Sequence, residues 1–187
     1  RLGAFCLLES VVSYRIIDLS DVPKNHPVSL FSDFWFENKS SDFVPLRAKI
    51  DPMKIPAILP WILLLELVDV EGVKKYRYRL TGTGCRTIFN MDYTGKFLGD
   101  GLTPEGAEAR LREFQDVGRL GQPIYSASHL PIAEREFIKV YRGVFPVSLS
   151  GTQVDQIFVI IAQEDMVLHL PKPHSSPALA QSGLNIV

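Results

Sequence analysis

Residues 61–81, WILLLELVDVEGVKKYRYRLT, contain two strand-like segments separated by a turn. The first segment is apolar on both alternating faces apart from Glu66 and Asp69, which is typical of a strand buried on both sides. In the second, tyrosine and leucine alternate with arginine and threonine over residues 76–81, so one face is apolar and the other largely cationic. The acidic residues and the glycine between the segments favour a hairpin turn. The two strands are therefore predicted to pair antiparallel.

Two longer helical patterns lie on either side of this hairpin. Residues 28–40 carry apolar side chains at helical spacing, which predicts an amphipathic helix that packs on the core. A second helix is predicted from Thr103 to about Gly118, because Thr103 is a suitable cap, Pro104 suits the first turn and Glu105 places an acid there. The apolar residues assigned to the buried face of this helix are Ala107, Leu111 and Phe114.

Three further strand-like stretches follow, at residues 123–131, 137–147 and 153–163. The last contains the unbroken apolar run 157–161, which again indicates a strand buried on both faces. Residues 83–97 mix glycines, polar groups and aromatics without a long period, which predicts short helical turns. The sequence therefore predicts an α+β fold, a five-stranded antiparallel sheet with short helices and one longer helix on one face.

The predicted domain, residues 28–165, has an extension at each end. Residues 1–27 are predicted to form a helical N-terminal extension, and its apolar residues would cover the sheet or the matching surface of a second chain. We therefore expect a homodimer. Residues 166–187 are rich in proline and serine and are predicted to be a flexible tail.

Two segments of the chain carry a resemblance to a known family. Residues 44–69, VPLRAKIDPMKIPAILPWILLLELVD, and residues 76–96, YRYRLTGTGCRTIFNMDYTGK, resemble a bacterial group of stand-alone PAS proteins. Members of that group share an Arg-x-x-Ile-Asp-Pro segment, a Leu-Pro pair before the first strand, a Tyr-Arg-x-Arg-Leu-x-Gly-Thr strand and an Asp-x-Thr-Gly turn. The similarity covers residues 28–165, and it implies that the first and fifth strands lie side by side at the centre of the sheet.

The resemblance implies a sensory or interaction module. In such a module a cavity between the sheet and the helices holds a small ligand, and a surface contacts a protein partner in a signalling pathway. The resemblance supplies no ligand and no catalytic residue. Strand parity and helix face predict that the cavity is lined by Tyr78, Phe89, Phe114 and Tyr125. Because only tail residues follow the fifth strand, signalling is expected to occur in trans or through self-association.

Arg77 and Arg79 are the charged candidates for ligand binding. On an alternating strand both guanidinium groups project from the face opposite Tyr76 and Tyr78. They either meet solvent and acidic neighbours, or they line a pocket or partner surface that recognises a carboxylate or phosphate. The family pattern contains both arginines, and this favours the second alternative without deciding between them.

Other chemistries fit the sequence less well. Gly82-Thr83-Gly84 lacks the third glycine of a dinucleotide fingerprint, since Thr87 stands there, and no parallel βαβ unit follows. The two glycines are better explained as a tight exit from the strand. Cys85 lies too early in the chain for the cysteine of flavin-binding light sensors, and a buried structural role is expected for it. The scattered histidines do not favour haem or metal binding.

Composition bounds the remaining function classes. The charges nearly cancel, 20 Lys plus Arg against 21 Asp plus Glu, which argues against nucleic-acid binding. The longest apolar run falls far short of the roughly 20 residues of a membrane helix, and the two cysteines favour a reducing cytoplasm. No motif indicates a catalytic site. The alternative function is a small enzyme or carrier on the same kind of scaffold, with Arg77 or Arg79 holding an acidic small molecule.

Overall fold

The computed structural model describes residues 14–39, 43–132 and 134–169. Within these residues it contains six strands and three α-helices. In chain order they are β1 (Arg15–Ile16), α1 (Pro27–Asn38), β2 (Ile62–Val70), β3 (Val73–Thr81), α2 (Thr83–Phe89), α3 (Pro104–Leu120), β4 (Ile124–His129), β5 (Lys139–Val147) and β6 (Gln156–Gln163). Short 3-10 turns lie at Leu19–Asp21, Arg47–Lys49, Pro52–Lys54 and Leu59–Trp61.

The strands form one antiparallel sheet in the order β1-β4-β5-β6-β2-β3. The first and last of the predicted strands, β2 and β6, are neighbours through pairs such as Leu64 with Phe158, as the resemblance implied. The sheet has six strands rather than five because Arg15–Ile16 adds to the free edge of β4. A two-residue strand is too short for any alternating pattern to reveal it.

The helices cover both faces of the sheet. On one face α1 packs through Phe31 and Trp35, and the Trp35 indole Nε1 donates a hydrogen bond of 2.9 Å to the Pro146 carbonyl. On the other face lie α2 and α3, with Cys85, Phe114 and Val117 fully buried. Because both faces are covered, β6 is buried from Gln156 to Ala162, which confirms the prediction drawn from its apolar run. The prediction that the helices occupy one face therefore holds for α2 and α3 and not for α1.

Local signals set the helix starts. Thr103 Oγ1 accepts a hydrogen bond of 3.2 Å from the Gly106 amide, so α3 begins where the cap and proline predict. Asp51 Oδ1 similarly accepts from the Met53 amide at 3.0 Å ahead of the Pro52–Lys54 turn. The cap of α1 is His26, whose Nδ1 accepts from the Val28 amide at 3.2 Å.

Gly82 and Gly84 are required by close packing. A Cβ atom on Gly82 would lie 2.4 Å from the Pro60 carbonyl oxygen, and one on Gly84 would lie 2.8 Å from the Trp61 ring. The Gly82 amide also donates a hydrogen bond of 2.8 Å to the Ile62 carbonyl. The two glycines therefore allow the chain to leave β3 against the 3-10 turn that precedes β2, and this contact positions α2 over the sheet.

The predictions for the two ends of the chain fall partly outside the described residues. Residues 14–26 contain the edge strand and a 3-10 turn rather than the predicted helix, and residues 1–13 and 170–187 lie outside the described ranges. None of the helices within those ranges is long and apolar enough to cross a membrane.

Candidate functional site

A cavity of about 40 Å³ lies between the sheet and the α2–α3 layer. The floor of the cavity is formed by β2, β3, β5 and β6. Its walls are formed by α2, by α3, by the loop between these helices and by the loop that follows β4. The lining residues are Leu63, Leu65, Tyr78, Phe89, Tyr93, Leu98, Leu102, Arg110, Phe114, Leu130, Pro131, Ile132, Arg142, Val159 and Ile161. The cavity is thus mostly apolar, with two guanidinium groups and two phenols among its polar groups.

The two cavity arginines belong to a buried ionic cluster centred on Glu113. Arg142 Nη1 donates a hydrogen bond of 2.5 Å to Glu113 Oε2, and Arg110 Nη1 lies 3.5 Å from the same oxygen. Ser126 Oγ and the Tyr14 hydroxyl donate to Glu113 Oε1 at 3.3 and 3.1 Å. The cluster therefore connects α3 to β4, to β5 and to the residue just before β1.

Burial dominates the electrostatics of this cluster. Burial alone would raise the pKa of Glu113, but the guanidinium groups of Arg142 and Arg110 outweigh it and hold that pKa below its ordinary value. Burial, together with repulsion from Arg142, lowers the pKa of Arg110 to about 10. Burial and the nearby Glu113 carboxylate raise the pKa of Tyr14 to about 12. At neutral pH Arg110 and Glu113 are therefore charged, and Tyr14 is neutral.

Two polar atoms of the cavity residues have no hydrogen-bond partner among the described residues. They are Arg110 Nη1 and the Tyr93 hydroxyl oxygen. Arg110 does engage other groups, since its Nη2 donates to Ser128 Oγ at 3.1 Å and its guanidinium carbon lies 4.8 Å from the Tyr14 ring centroid. Buried polar atoms in native proteins almost always find a partner. With Thr81 Oγ1 and Gln156 Oε1, these two atoms are therefore exceptions among the buried polar groups of the described residues.

Three of the aromatic residues predicted for the cavity line it: Tyr78, Phe89 and Phe114. Tyr125 does not line the cavity, which corrects its predicted position. Its hydroxyl forms a hydrogen bond of 2.7 Å with Ser32 Oγ on α1, and its ring lies 5.8 Å from Phe145. The alternation of β4 directs Ser126 and Ser128 toward the ionic cluster, so Tyr125 faces α1.

Arg77 and Arg79 lie outside the cavity. Both pair with Glu66 on the neighbouring strand, at 2.6 Å from Arg77 Nη2 to Oε1 and 3.3 Å from Arg79 Nη1 to Oε2. Their side chains are 47% and 60% exposed, so they can still contact a partner at the surface. The structure thus places them in the first of the two predicted environments, beside solvent and an acidic neighbour.

Cys85 is completely buried in the core between α2 and the sheet, as expected for a structural cysteine. Burial raises the pKa of its thiol, which disfavours the reactive thiolate. No group of three His, Cys, Asp or Glu side chains within the described ranges is arranged to hold a metal ion.

Sequence patterns missed the polar half of the site. The predicted face of α3 included Leu111, which is 43% exposed, whereas Arg110 and Glu113 are 4% and 3% exposed. The helix is rotated so that these charged residues face the sheet together with Phe114 and Val117. The spacing of these residues could have revealed the buried face of α3, because residues 110, 113, 114 and 117 follow the i, i+3, i+4, i+7 pattern of a buried stripe. Charges at such positions indicate a partner elsewhere in the chain.

A match to a family model agrees with this architecture. A family model described as a PAS domain matches residues 23–126, more than half of the 187-residue chain. Among solved structures, an RNA-binding light-oxygen-voltage receptor is similar, with a TM-score of 0.41 and 10% sequence identity over 66% of this chain. The similar region makes up 36% of that receptor. No curated protein sequence matches the chain.

Proposed function

Because the chain belongs to the PAS domain family, we propose that it is a sensory module that holds a small ligand in the cavity between the sheet and the α2–α3 layer. The observation that carries this proposal is that two buried donors on residues lining the cavity, Arg110 Nη1 and the Tyr93 hydroxyl, form no hydrogen bond with the described residues, although Arg110 Nη1 is ion-paired with Glu113 at 3.5 Å. A bound ligand would supply the acceptors that these buried donors lack.

The ionic cluster offers a route by which ligand binding alters the surface. Arg110 contacts both the cavity and the Tyr14 ring, and Tyr14 in turn donates to Glu113. A ligand that draws Arg110 toward the cavity would weaken these contacts, and Tyr14 directly precedes the edge strand β1. The N-terminal segment is therefore the element that would report occupancy to a partner or to a second copy of the chain.

Binding rather than catalysis fits the titratable groups of the site. A general base works best with a pKa near the operating pH. The arginines instead hold the pKa of Glu113 below its ordinary value, so this carboxylate is a poor proton acceptor. Its contacts suit a structural anion that keeps two guanidinium groups in place.

Native mass spectrometry of freshly purified protein tests the ligand part of the proposal. A mass above that of the denatured chain, lost on mild collisional activation, is expected if the cavity carries a ligand from the cell. The complementary measurement is the set of methyl NMR signals from Leu65, Val159 and Ile161, which line the cavity. Absence of any adduct, together with methyl signals that respond to no added compound, would contradict the proposal.

We also propose that the chain acts as a homodimer. Support comes from the edge strand β1, where Ile16 is 65% exposed, and from the apolar sequence of residues 1–13 that precedes it. An exposed strand edge can pair with the same edge of a second chain. Light scattering that gives the mass of a single chain at micromolar concentration would contradict the dimer and leave the ligand proposal intact.

A further inference from the structure

The buried charges around the cavity do not balance. Apart from His26, the charged residues that are buried within the described ranges are Arg110, Arg142 and Glu113. The side chains of these three residues are 5%, 6% and 1% exposed. Two guanidinium groups therefore face one carboxylate, which leaves a net positive charge in a region that excludes water. An uncompensated buried charge is costly, so proteins normally supply a counterion or a second partner.

One of the two donors without a hydrogen bond, Arg110 Nη1, belongs to this charged cluster. Arg142 is joined to Glu113 by a hydrogen bond of 2.5 Å, whereas Arg110 Nη1 is 3.5 Å from the same oxygen and forms no hydrogen bond. The guanidinium of Arg110 therefore carries the incompletely neutralised charge of the cluster. Tyr93, only 2% exposed, adds a neutral donor to the same cavity. A charged N–H and a phenol O–H together form the donor set that an oxyanion accepts.

The cavity limits the size of such an anion. One water molecule needs roughly 10–15 Å³ of this kind of space, so about 40 Å³ accommodates on the order of three or four non-hydrogen atoms. The remaining lining is apolar, with Leu65, Val159 and Ile161 from the sheet, and it would accept at most one methyl group beside the charged end. Anions and metabolites with more than about four non-hydrogen atoms do not fit this space.

Asp100 acts on Tyr93 but not on Arg110, so it does not neutralise the cluster. Asp100 is exposed and its Oδ2 accepts a hydrogen bond of 2.8 Å from the Phe97 amide. Its charge acts on Tyr93, whose pKa is raised mainly by burial and further by Asp100. Tyr93 therefore stays protonated at neutral pH and available as a donor.

We propose that the ligand of this cavity is a small planar oxyanion, a carboxylate with at most one methyl group or an inorganic anion of the same shape, held by Arg110 Nη1 and the Tyr93 hydroxyl. This inference rests on the proposed sensory function and narrows its ligand to one chemical class. Formate, acetate and nitrate share the required shape and charge. A ligand of about four non-hydrogen atoms binds at best with a dissociation constant of tens of micromolar, so the sensor would respond to abundant anions.

Methyl NMR titration with acetate tests the proposal directly. Sodium acetate, formate and nitrate are added to separate samples at constant ionic strength, with sodium chloride as the salt control and acetamide as the neutral analogue of acetate. Saturable shifts of the Leu65, Val159 and Ile161 methyl signals are expected with the planar anions and not with acetamide. The order of affinity among the three separates a carboxylate ligand from an inorganic one. Equal responses to acetate and acetamide, or none to any anion, would overturn the proposal.

Two variants assign the binding to the named donors. Tyr93→Phe keeps the ring and removes a hydroxyl that has no hydrogen-bond partner among the described residues, so the free protein should lose little stability. Acetate should bind about tenfold more weakly to this variant. Tyr76→Phe is the matched control, because Tyr76 lies on β3 and does not line the cavity. Arg110→Gln should reduce acetate affinity at least tenfold. Unchanged acetate affinity in Tyr93→Phe and Arg110→Gln would show that these donors do not bind the anion.

The outcomes also separate this inference from the proposed function. A neutral adduct in native mass spectrometry, with cavity methyl signals that respond to it and not to acetate, would overturn the anion proposal and leave the sensory proposal standing. Acetate shifts that saturate at clearly higher acetate concentration in both cavity variants support the two proposals together. Acetate shifts confined to residues outside the cavity would overturn the anion proposal.

Discussion

Arg142 on β5 donates a hydrogen bond of 2.5 Å to Glu113 on α3, and both side chains are almost completely buried. The pair spans the interface between the helix layer and the sheet, beside the cavity. Glu113 is the only buried carboxylate among the described residues, and two buried guanidinium groups lie beside it. Its negative charge is therefore needed to keep both arginines in the core.

Replacement of this carboxylate should therefore be severe. Glu113→Gln removes the negative charge while keeping the shape of the side chain, and it leaves Arg110 and Arg142 facing each other without compensation. We expect a loss of about 3–5 kcal/mol in the free energy of unfolding, measured by urea denaturation. The control is Glu66→Gln, which breaks the surface pairs with Arg77 and Arg79 and should cost at most about 1 kcal/mol. Similar losses in the two variants would contradict this account of the cluster.

Protonation of His26, the cap of α1, should make the free energy of unfolding depend on pH in the mildly acidic range. Burial lowers the pKa of His26 below 6.5 in the folded protein, although its Nε2 donates to the Gln163 carbonyl at 3.0 Å. The unfolded chain therefore takes up a proton first as the pH falls, so the contribution of His26 to stability is complete above about pH 6.5 and declines toward the folded pKa. The slope from this residue is at most about 1.4 kcal/mol per pH unit.

His26→Asn tests this dependence, since asparagine can still accept a hydrogen bond at the cap and does not titrate. The variant should be less stable at pH 7.5, because the ring contact with Tyr141 is lost, and its free energy of unfolding should vary less between pH 7 and pH 5.5. His169→Asn, at an exposed position, is the control. A wild-type slope that persists in His26→Asn would assign the titration to another group.

Substitution of glycine by alanine should have opposite effects on stability at Gly82, which directly follows β3, and at Gly118, inside α3. Gly82→Ala would place Cβ 2.4 Å from the Pro60 carbonyl oxygen, and because that neighbour is backbone it cannot move aside cheaply. A loss of about 2 kcal/mol or more is expected. Gly118→Ala, inside α3 with its nearest neighbour 4.0 Å away, should instead stabilise by about 0.5–1 kcal/mol. Thermal and urea unfolding of both variants would show the difference in sign, and a stabilised Gly82→Ala protein would contradict the packing described here.

Sequence patterns predicted the parts of this fold that local interactions determine. The Thr103 cap and the apolar run of β6 each depend on neighbours close in the chain, and each lies in the structure where the pattern placed it. The alternation of residues 76–81 holds only as far as Arg79, because a register shift in the pairing with β2 leaves Leu80 45% exposed and buries Thr81. Tyr125 of β4 was assigned to the cavity, whereas it contacts Ser32 on α1, and the small side chains of Ser126 and Ser128 lie on the cavity side of this strand.

The polar half of the site depends on distant partners, and its one local signal was the spacing of residues 110, 113, 114 and 117. Arg110 and Glu113 are buried because Arg142, on a strand that follows α3 much later in the chain, lies opposite them. A charged residue on a helix is ordinarily assigned to the solvent face, and only its partner across the core reverses that assignment. The edge strand β1 was missed for the same reason, because its pairing with β4 involves residues more than a hundred positions apart.

The cavity itself predicts a difference between two neighbouring valines. Val144 and Val159 are directly paired on β5 and β6 and belong to the same buried cluster, but only Val159 lines the cavity. Val159→Ile adds one methyl group to space that the free protein leaves empty, so it should stabilise by about 0.8 kcal/mol. Val144→Ile adds the same group to a filled region and should destabilise by about 1–3 kcal/mol.

Urea denaturation measures the change in the free energy of unfolding for both variants. Acetate should also bind more weakly to Val159→Ile, because the added methyl group occupies part of its site. Equal destabilisation by the two substitutions would mean that the space beside Arg110 and Tyr93 is too small for any ligand, and the module would then act through its surface alone.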